Sequence, residues 1–220
     1  MDSGRGRREL RSNLFISFEG VDGSGKSTQI EKLRDWFISI GEEVLMLRDP
    51  GTTDISERIR DILLDRRHMQ MHAVTECLLY AAARSQLVTE QILPALQSGR
   101  QVISDRFYDS TTAYQGFGRS LPEDLIKDLN RIGSHSLVPD LTVLLDLDPE
   151  TGLARAGKHR SLDRMESGGS DFIRRVRAGF LNIAEAEKHR FIVLDASDGV
   201  EKIHEKIISE VQRRLKKSLH

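Results

Sequence analysis

The chain has 220 residues, 38% of them hydrophobic and 30% charged. That is enough for one domain with a sizeable core, and it excludes a collagen-like, wholly disordered or membrane-bundle chain. The formal net charge of −1 gives no global attraction to nucleic acid or to an anionic membrane, so neither is an expected partner. A single cysteine, Cys77, excludes an intramolecular disulfide and a cysteine-based zinc cage.

In chain order, Met1 to Asn13 is polar and Arg-rich and is expected to be a disordered tail (residues 1–13). It is short and carries Asp2 and Glu9, which argues against a nucleic-acid-binding arm. Its lack of an apolar core region argues against a signal peptide, and no apolar run reaches the roughly 18 residues of a membrane span, so the cytoplasm is the expected compartment. Residues 14–218 read as a single domain. Leu14 to Glu19, Val44 to Leu47, Gln101 to Asp105, Leu141 to Leu147 and Phe191 to Leu194 read as buried strands. Helical patterns lie between them, one presenting Ile30, Leu33, Phe37 and Ile40 on one face. The last presents Val200, Ile203, Ile207, Val211 and Leu215. Asp148 before Pro149 is a helix start, with a side-chain cap and proline at the first helical position. Ala156 to Ser170, basic and then Gly/Ser-rich, reads as a mobile loop between two helices. Strands separated by helices predict an α/β fold: a central five-stranded parallel sheet covered on both faces, with ligands at the carboxyl ends of its strands.

The strongest motif falls at such an end. Gly20-Val21-Asp22-Gly23-Ser24-Gly25-Lys26-Ser27, followed by Thr28, matches the phosphate-binding P-loop between a strand and an amphipathic helix. The glycines let backbone N–H groups turn onto a phosphate, Lys26 reaches the β/γ-phosphates, and the Ser27 hydroxyl can ligate Mg²⁺. The motif specifies ATP or another nucleotide, not the reaction. A signalling GTPase usually carries Asn-Lys-x-Asp, which is lacking here, and motor ATPases are normally larger. A small chain with an early P-loop and a late basic loop points to a small-molecule kinase. A second strand ends in Asp105-Arg106, followed by a dense run of polar and aromatic residues from Phe107 to Gly116 that could serve a base and a sugar.

The stretch Asp105-Arg106-Phe107-x-x-Ser110-Thr111-x-Ala113-Tyr114-Gln115-Gly116-x-Gly118-Arg119 resembles the signature of the thymidylate kinase family. The P-loop, Arg48-Asp49-Pro50-Gly51-Thr52, Leu78 to Arg84 and Leu162 to Glu166 follow that family's order and spacing, so the resemblance spans about Phe15 to Asp195. It implies a P-loop kinase fold with a lid at about residues 156–170, and transfer of the ATP γ-phosphoryl group to dTMP. It implies that Asp22 bonds the acceptor's 3′-hydroxyl and that Arg48 and Arg106 hold the acceptor phosphate. Ser110 and Thr111 lie in the same signature and would belong to the substrate site. Tyr80 would stack on thymine, Arg84 and Gln115 would read the base, and Tyr114 would exclude a ribose 2′-hydroxyl. Asp105 would help place Mg²⁺, and a homodimer is implied as well. Arginine suits the phosphate roles because its planar fork gives two parallel charge-assisted bonds.

Some family members carry an arginine inside the P-loop; here Gly23 and Ser24 occupy those positions, so the charge is sought in the lid. Seven basic residues against three acidic ones lie between Arg155 and Arg177. Arg155, Arg160 and Arg164 are the lid candidates, with Arg160 chosen beside His159 as the catalytic one, whereas Arg174, Arg175 and Arg177 read as a solvated helix face. Thr52 replaces the second glycine of the usual Pro-Gly-Gly, and Ala83 stands where a polar residue is common. The rival readings are a kinase for another nucleoside monophosphate and a non-catalytic nucleotide-binding regulator. The second would be marked by damage at Lys26, Ser27, Asp105 or Arg106, all of which are intact.

Overall fold

Five strands alternate with helices: β1 (Phe15–Glu19), β2 (Val44–Arg48), β3 (Gln101–Asp105), β4 (Leu141–Asp146) and β5 (Phe191–Asp195). The structure is a computed structural model that describes residues 13–156, 164 and 169–217. All five strands pair in parallel, in the order β2-β3-β1-β4-β5. The predicted strands are therefore all present, with small shifts at their ends. Arg48 and Asp195 join β2 and β5 because the ladders continue to Arg48 opposite Asp105 and Asp146 opposite Asp195. Leu14 drops out of β1, its backbone N–H donating to the Gln101 side chain at 2.8 Å.

The helices are α1 (Lys26–Ser39), α2 (Asp54–Leu64), α3 (Ala73–Leu87), α4 (Leu93–Gln97), α5 (Tyr108–Thr111), α6 (Glu123–Gly133), α7 (Pro149–Ala156), α8 (Gly169–Ala186) and α9 (Val200–Lys217). A π-helical turn, Val88–Ile92, joins α3 to α4, and another, Thr112–Gly118, continues α5. Asp148 caps α7 as its sequence predicts, accepting from the N–H groups of Glu150 and Thr151 at 3.0 and 3.1 Å. Ile30, Leu33 and Phe37 are buried, but Ile40 lies past the end of α1 and is exposed. Asn13, assigned to the tail by sequence, is tied to the fold: its side-chain amide donates to the carbonyls of Leu96 and Arg100.

The period-two alternation of β1 divides the core. Ile16 and Phe18 pack with Ile103, Val143 and the apolar faces of α1, α8 and α9. Phe15 packs with Leu47 and Val102 against Leu87, Val88 and Ile92. A smaller cluster, Cys77, Ala81, Ile126 and Leu129, joins α3 to α6. Chain order reverses around the central β1, flanked by β3 and β4. The carboxyl ends of β1 and β3 thus open a crevice where this topology places ligands. No helix among the described residues is long and apolar enough to cross a membrane.

Candidate active site

At the end of β1 the chain turns directly into the phosphate loop. Gly20, Gly23 and Gly25 have φ of 135°, 80° and 90°, values that L side chains rarely adopt. At Gly23 the requirement is doubled: a Cβ there would lie 2.5 Å from the Gly152 carbonyl, because α7 packs directly on the loop. That contact explains why an arginine has no room at this position. Val21 and Ser24 are buried in the loop, whereas Ser27 and Thr28 are exposed on the first turn of α1. Lys26 is buried, and its Nζ donates to the carbonyls of Gly20 and Val21 at 3.0 and 3.2 Å, 3.8 Å from Asp22 Oδ1. Burial, reinforced by the nearby Arg106 cation, lowers the Lys26 pKa.

Arg106 joins this loop to the next strand end. Its φ of 70° is left-handed, and its N–H donates to the Phe18 carbonyl at 3.0 Å. Nη1 donates to Gly20 O and Ser110 Oγ, both at 3.0 Å, and Nη2 to Asp22 Oδ1 at 2.8 Å. Burial works against its charge, yet Tyr114, Asp22, Asp105 and Glu19 around it keep the pKa well above the usual guanidinium value. Asp105 lines the same cleft as Lys26, Ser27 and Thr28. Its Oδ1 is buried without a partner among the described residues, so Ser27 and Asp105 together fit a Mg²⁺ site. No group of three or more His, Cys, Asp or Glu among the described residues could hold a metal alone; Mg²⁺ with a nucleotide ordinarily needs only one or two protein ligands.

A second cleft opens beside the first and shares Asp22, Asp49, Arg60 and Arg106 with it. Tyr80, Arg84, Ser110, Thr111, Tyr114 and Gln115 line it, so the base and sugar residues named from sequence converge. Helical spacing puts Glu76, Tyr80 and Arg84 on one face of α3. Arg84 is buried. Its Nε donates to Asp49 Oδ2 at 2.5 Å and its Nη2 to Thr111 Oγ1 at 2.8 Å, while Nη1 finds no partner among the described residues. Burial raises the Asp49 pKa even against the Arg84 charge. Tyr114 is wedged edge-on against Phe172 and Phe180, both ring centroids 6.1 Å away, and lies 5.3 Å beneath the Arg106 guanidinium carbon. Arg48 is more exposed, lines the phosphate cleft and forms a two-bond pair with Glu57 at 2.9 and 2.8 Å. Thr52 keeps the left-handed φ (74°) that a glycine would favour, its hydroxyl accepting from Arg48 N at 3.0 Å. Ala83 is buried with its carbonyl bonded by Ser56 Oγ at 2.7 Å, away from the cleft.

Arg160, the chosen lid residue, lies outside the described residues, as does most of the 156–170 segment. Two sequence readings nearby are corrected. Arg164 is no phosphate contact: it is buried, donating to Leu63 O at 2.7 Å and pairing with Glu76 at 2.5 Å. Of the expected solvated face, Arg174 and Arg175 are exposed and fit, whereas Arg177 is half-buried. Arg175 donates to Gly118 O at 3.0 Å, and Arg177 grips Asp146 through two bonds at 2.7 and 2.8 Å. Arg155 does line the phosphate cleft.

Three residues escaped the sequence reading. Glu19 is fully buried, accepting from Phe107 N at 2.7 Å and Ser110 Oγ at 2.5 Å. Burial, with the Asp109 charge nearby, pushes its carboxyl up to about 8. Glu76 accepts from Gln115 Nε2 at 2.8 Å and from Arg119 and Arg164. Arg60 lines both clefts and donates to Pro50 O at 2.9 Å. The available signal was a charged residue in a buried pattern: Glu19 ends a wholly buried strand, and Glu76 adjoins Cys77 on the buried side of α3.

A sequence model of the family described as thymidylate kinase matches residues 18–207. A thymidylate kinase of Chlorobaculum tepidum is 49% identical over 207 residues, covering 90% of this chain and 96% of its own. One from Chlorobaculum parvum is 47% identical over 208 residues, covering 90% and 95%. The crystal structure of thymidylate kinase from Ehrlichia chaffeensis superposes with a TM-score of 0.74 at 33% identity, covering 91% of this chain and 99% of that one. With the P-loop, the Asp-Arg turn and the adjoining base cleft all in place, the chain belongs to the thymidylate kinase family.

Proposed function

We propose that the paired clefts carry out the family's reaction, transfer of the ATP γ-phosphoryl group to dTMP to give dTDP and ADP. The observation that carries the division of roles is Arg106, whose single guanidinium reaches both the phosphate loop at Gly20 and the second cleft at Ser110. The acceptor is a phosphate oxygen, already anionic near neutral pH, so the protein need not remove a proton; it must hold two anions together. Backbone N–H groups from Gly20 to Gly25, with Lys26, Ser27 and Thr28, bind the ATP phosphates, and Lys26 stabilises charge on the group in transfer. Arg106 and Arg48 hold the acceptor phosphate, which competes with Asp22 and Glu57 for their guanidiniums. Asp22 then meets the sugar 3′-hydroxyl. Ser27 and Asp105 would hold Mg²⁺, which when bound neutralises charge on the nucleotide phosphates.

At the far end, Tyr80 stacks on the base while Arg84 and Gln115 contact its edge, with Ser110 and Thr111 completing the wall. Tyr114 sits against the sugar, and its packing on Phe172 and Phe180 supports the exclusion of a ribose 2′-hydroxyl, since the ring has nowhere to retreat. Arg160, from the lid, adds positive charge over the transferring group, and closure excludes water. The reading includes a homodimer. Support comes from Ile55 and Ile62 on α2, Leu78 on α3 and Ile132 on α6, exposed on helices packed side by side. The cytoplasm remains the proposed compartment.

The test is ATP- and Mg²⁺-dependent ADP formation with dTMP, dUMP, UMP, dCMP and AMP side by side. Turnover strongest on dTMP is expected. Activity confined to another member overturns the base and sugar assignments, and silence on all of them overturns the reaction.

A further inference from the structure

The Gln115 amide can read a base only if its orientation is fixed, because its two ends have nearly the same shape and opposite hydrogen-bonding character. What fixes it lies behind the cleft. The Glu76 carboxylate is fully buried and gathers four donors from three residues: Gln115 Nε2 at 2.8 Å, Arg119 Nε and Nη2 at 3.3 Å each, and Arg164 Nη1 at 2.5 Å. A carboxylate gripped by two guanidiniums accepts and does not donate. Gln115 must therefore turn its NH₂ towards Glu76, and its Oε1, which accepts nothing from a described residue, is the end left to the cleft. On the same cleft the Arg84 Nη1 donor is also without a partner among the described residues.

The cleft then presents one acceptor and one donor. That pair matches the imide edge of thymine or uracil, which offers N3–H next to the O4 carbonyl. Cytosine offers the reverse, an N3 lone pair next to an amino group, and would set acceptor against acceptor and donor against donor. We propose that Glu76 is a positioning residue for base selectivity: it locks the Gln115 amide with Oε1 towards the base and so excludes amino-pyrimidines. Arg119 and Arg164 hold Glu76 in turn, so the residues that fix the base edge include one, Arg164, from within the stretch read as the lid. The inference rests on the assignment of a base to this cleft.

The experiment compares kcat/KM for dTMP, dUMP and dCMP in the wild type, Glu76→Gln, Gln115→Leu and the double variant. A glutamine at 76 can donate as well as accept, so the Gln115 amide is free to turn. The dTMP:dCMP ratio is expected to fall about tenfold or more in Glu76→Gln, the scale of one mispaired buried hydrogen bond. The dTMP:dUMP ratio and the KM for ATP should stay unchanged, because thymine and uracil share this edge. In the Gln115→Leu background the Glu76 change should alter the ratio no further. An unchanged dTMP:dCMP ratio in Glu76→Gln, or a full additional fall in the double variant, overturns the proposal. If Glu76→Gln does not fold, Glu76→Asp keeps the charge but withdraws the carboxylate from Gln115. A smaller fall in the ratio is then expected, and no fall overturns the proposal. A wild type that phosphorylates none of the three instead refutes the assigned reaction, so the two failures are distinct.

Discussion

The two ends of the active-site cleft are built by opposite means. The phosphate end is made of backbone: a glycine-rich loop, one helix start, and the exposed Ser27 and Thr28 around a single buried lysine. The base end is made of side chains already committed to one another: Arg84 to Asp49 and Thr111, and Gln115 to Glu76. The first geometry binds any nucleoside triphosphate tail, since every phosphate offers the same oxygens. The second is rigid, and buried polar groups in fixed positions discriminate by leaving a wrong ligand unpaired. In the proposed function catalytic power belongs to one end and selectivity to the other, with Arg106 reaching between them.

The comparison is broken most severely at Lys26. Lys26→Ala removes the cation from the transferring group while leaving the base end intact. The expected loss in kcat is about a thousandfold or more. dTMP should still raise the melting temperature of the variant as it does for wild type. Loss of that protection together with turnover would show that the two ends are not separable.

A smaller effect, in stability, is expected at Glu19, whose carboxyl group underpins the turn that carries Arg106. Its folded pKa of about 8 lies above the ordinary 4.5, so between those values the folded chain binds the extra proton. The Glu19 contribution is therefore complete below about pH 4.5 and is lost as pH rises through about 8. Glu19→Gln keeps a neutral, hydrogen-bonding side chain at all pH values. Its melting temperature should gain on wild type by several degrees between pH 6 and pH 9. A difference that does not move with pH would contradict the buried-proton account.

The same contrast explains what could be read in the sequence. The strands were legible because each is a short apolar run between turn residues, and the phosphate loop because its geometry is local to eight residues. Tyr80, Arg84, Tyr114 and Gln115 could be named through resemblance, and the fold does bring them to one cleft. Their partners could not be named. Glu19 closes a strand that reads as buried and Glu76 adjoins Cys77, but what each of them binds is set only by long-range packing. Glu76 meets Gln115 across 39 positions and Glu19 meets Ser110 across 91. Arg164 misled for the same reason: in a basic stretch it reads as a phosphate ligand, yet the fold spends its charge on Glu76. Ile40 misled more simply, by continuing a helical period one residue past the helix end.

The most direct test of the account is the KM for each substrate in Arg106→Ala, with folding monitored by thermal melting. If Arg106 holds the acceptor phosphate at the junction of the two ends, the KM for dTMP should rise about a hundredfold, the scale of losing a buried charge-assisted contact, while the KM for ATP stays within about threefold. Equal rises for both substrates would contradict the division of the cleft, and with it the role given to this arginine.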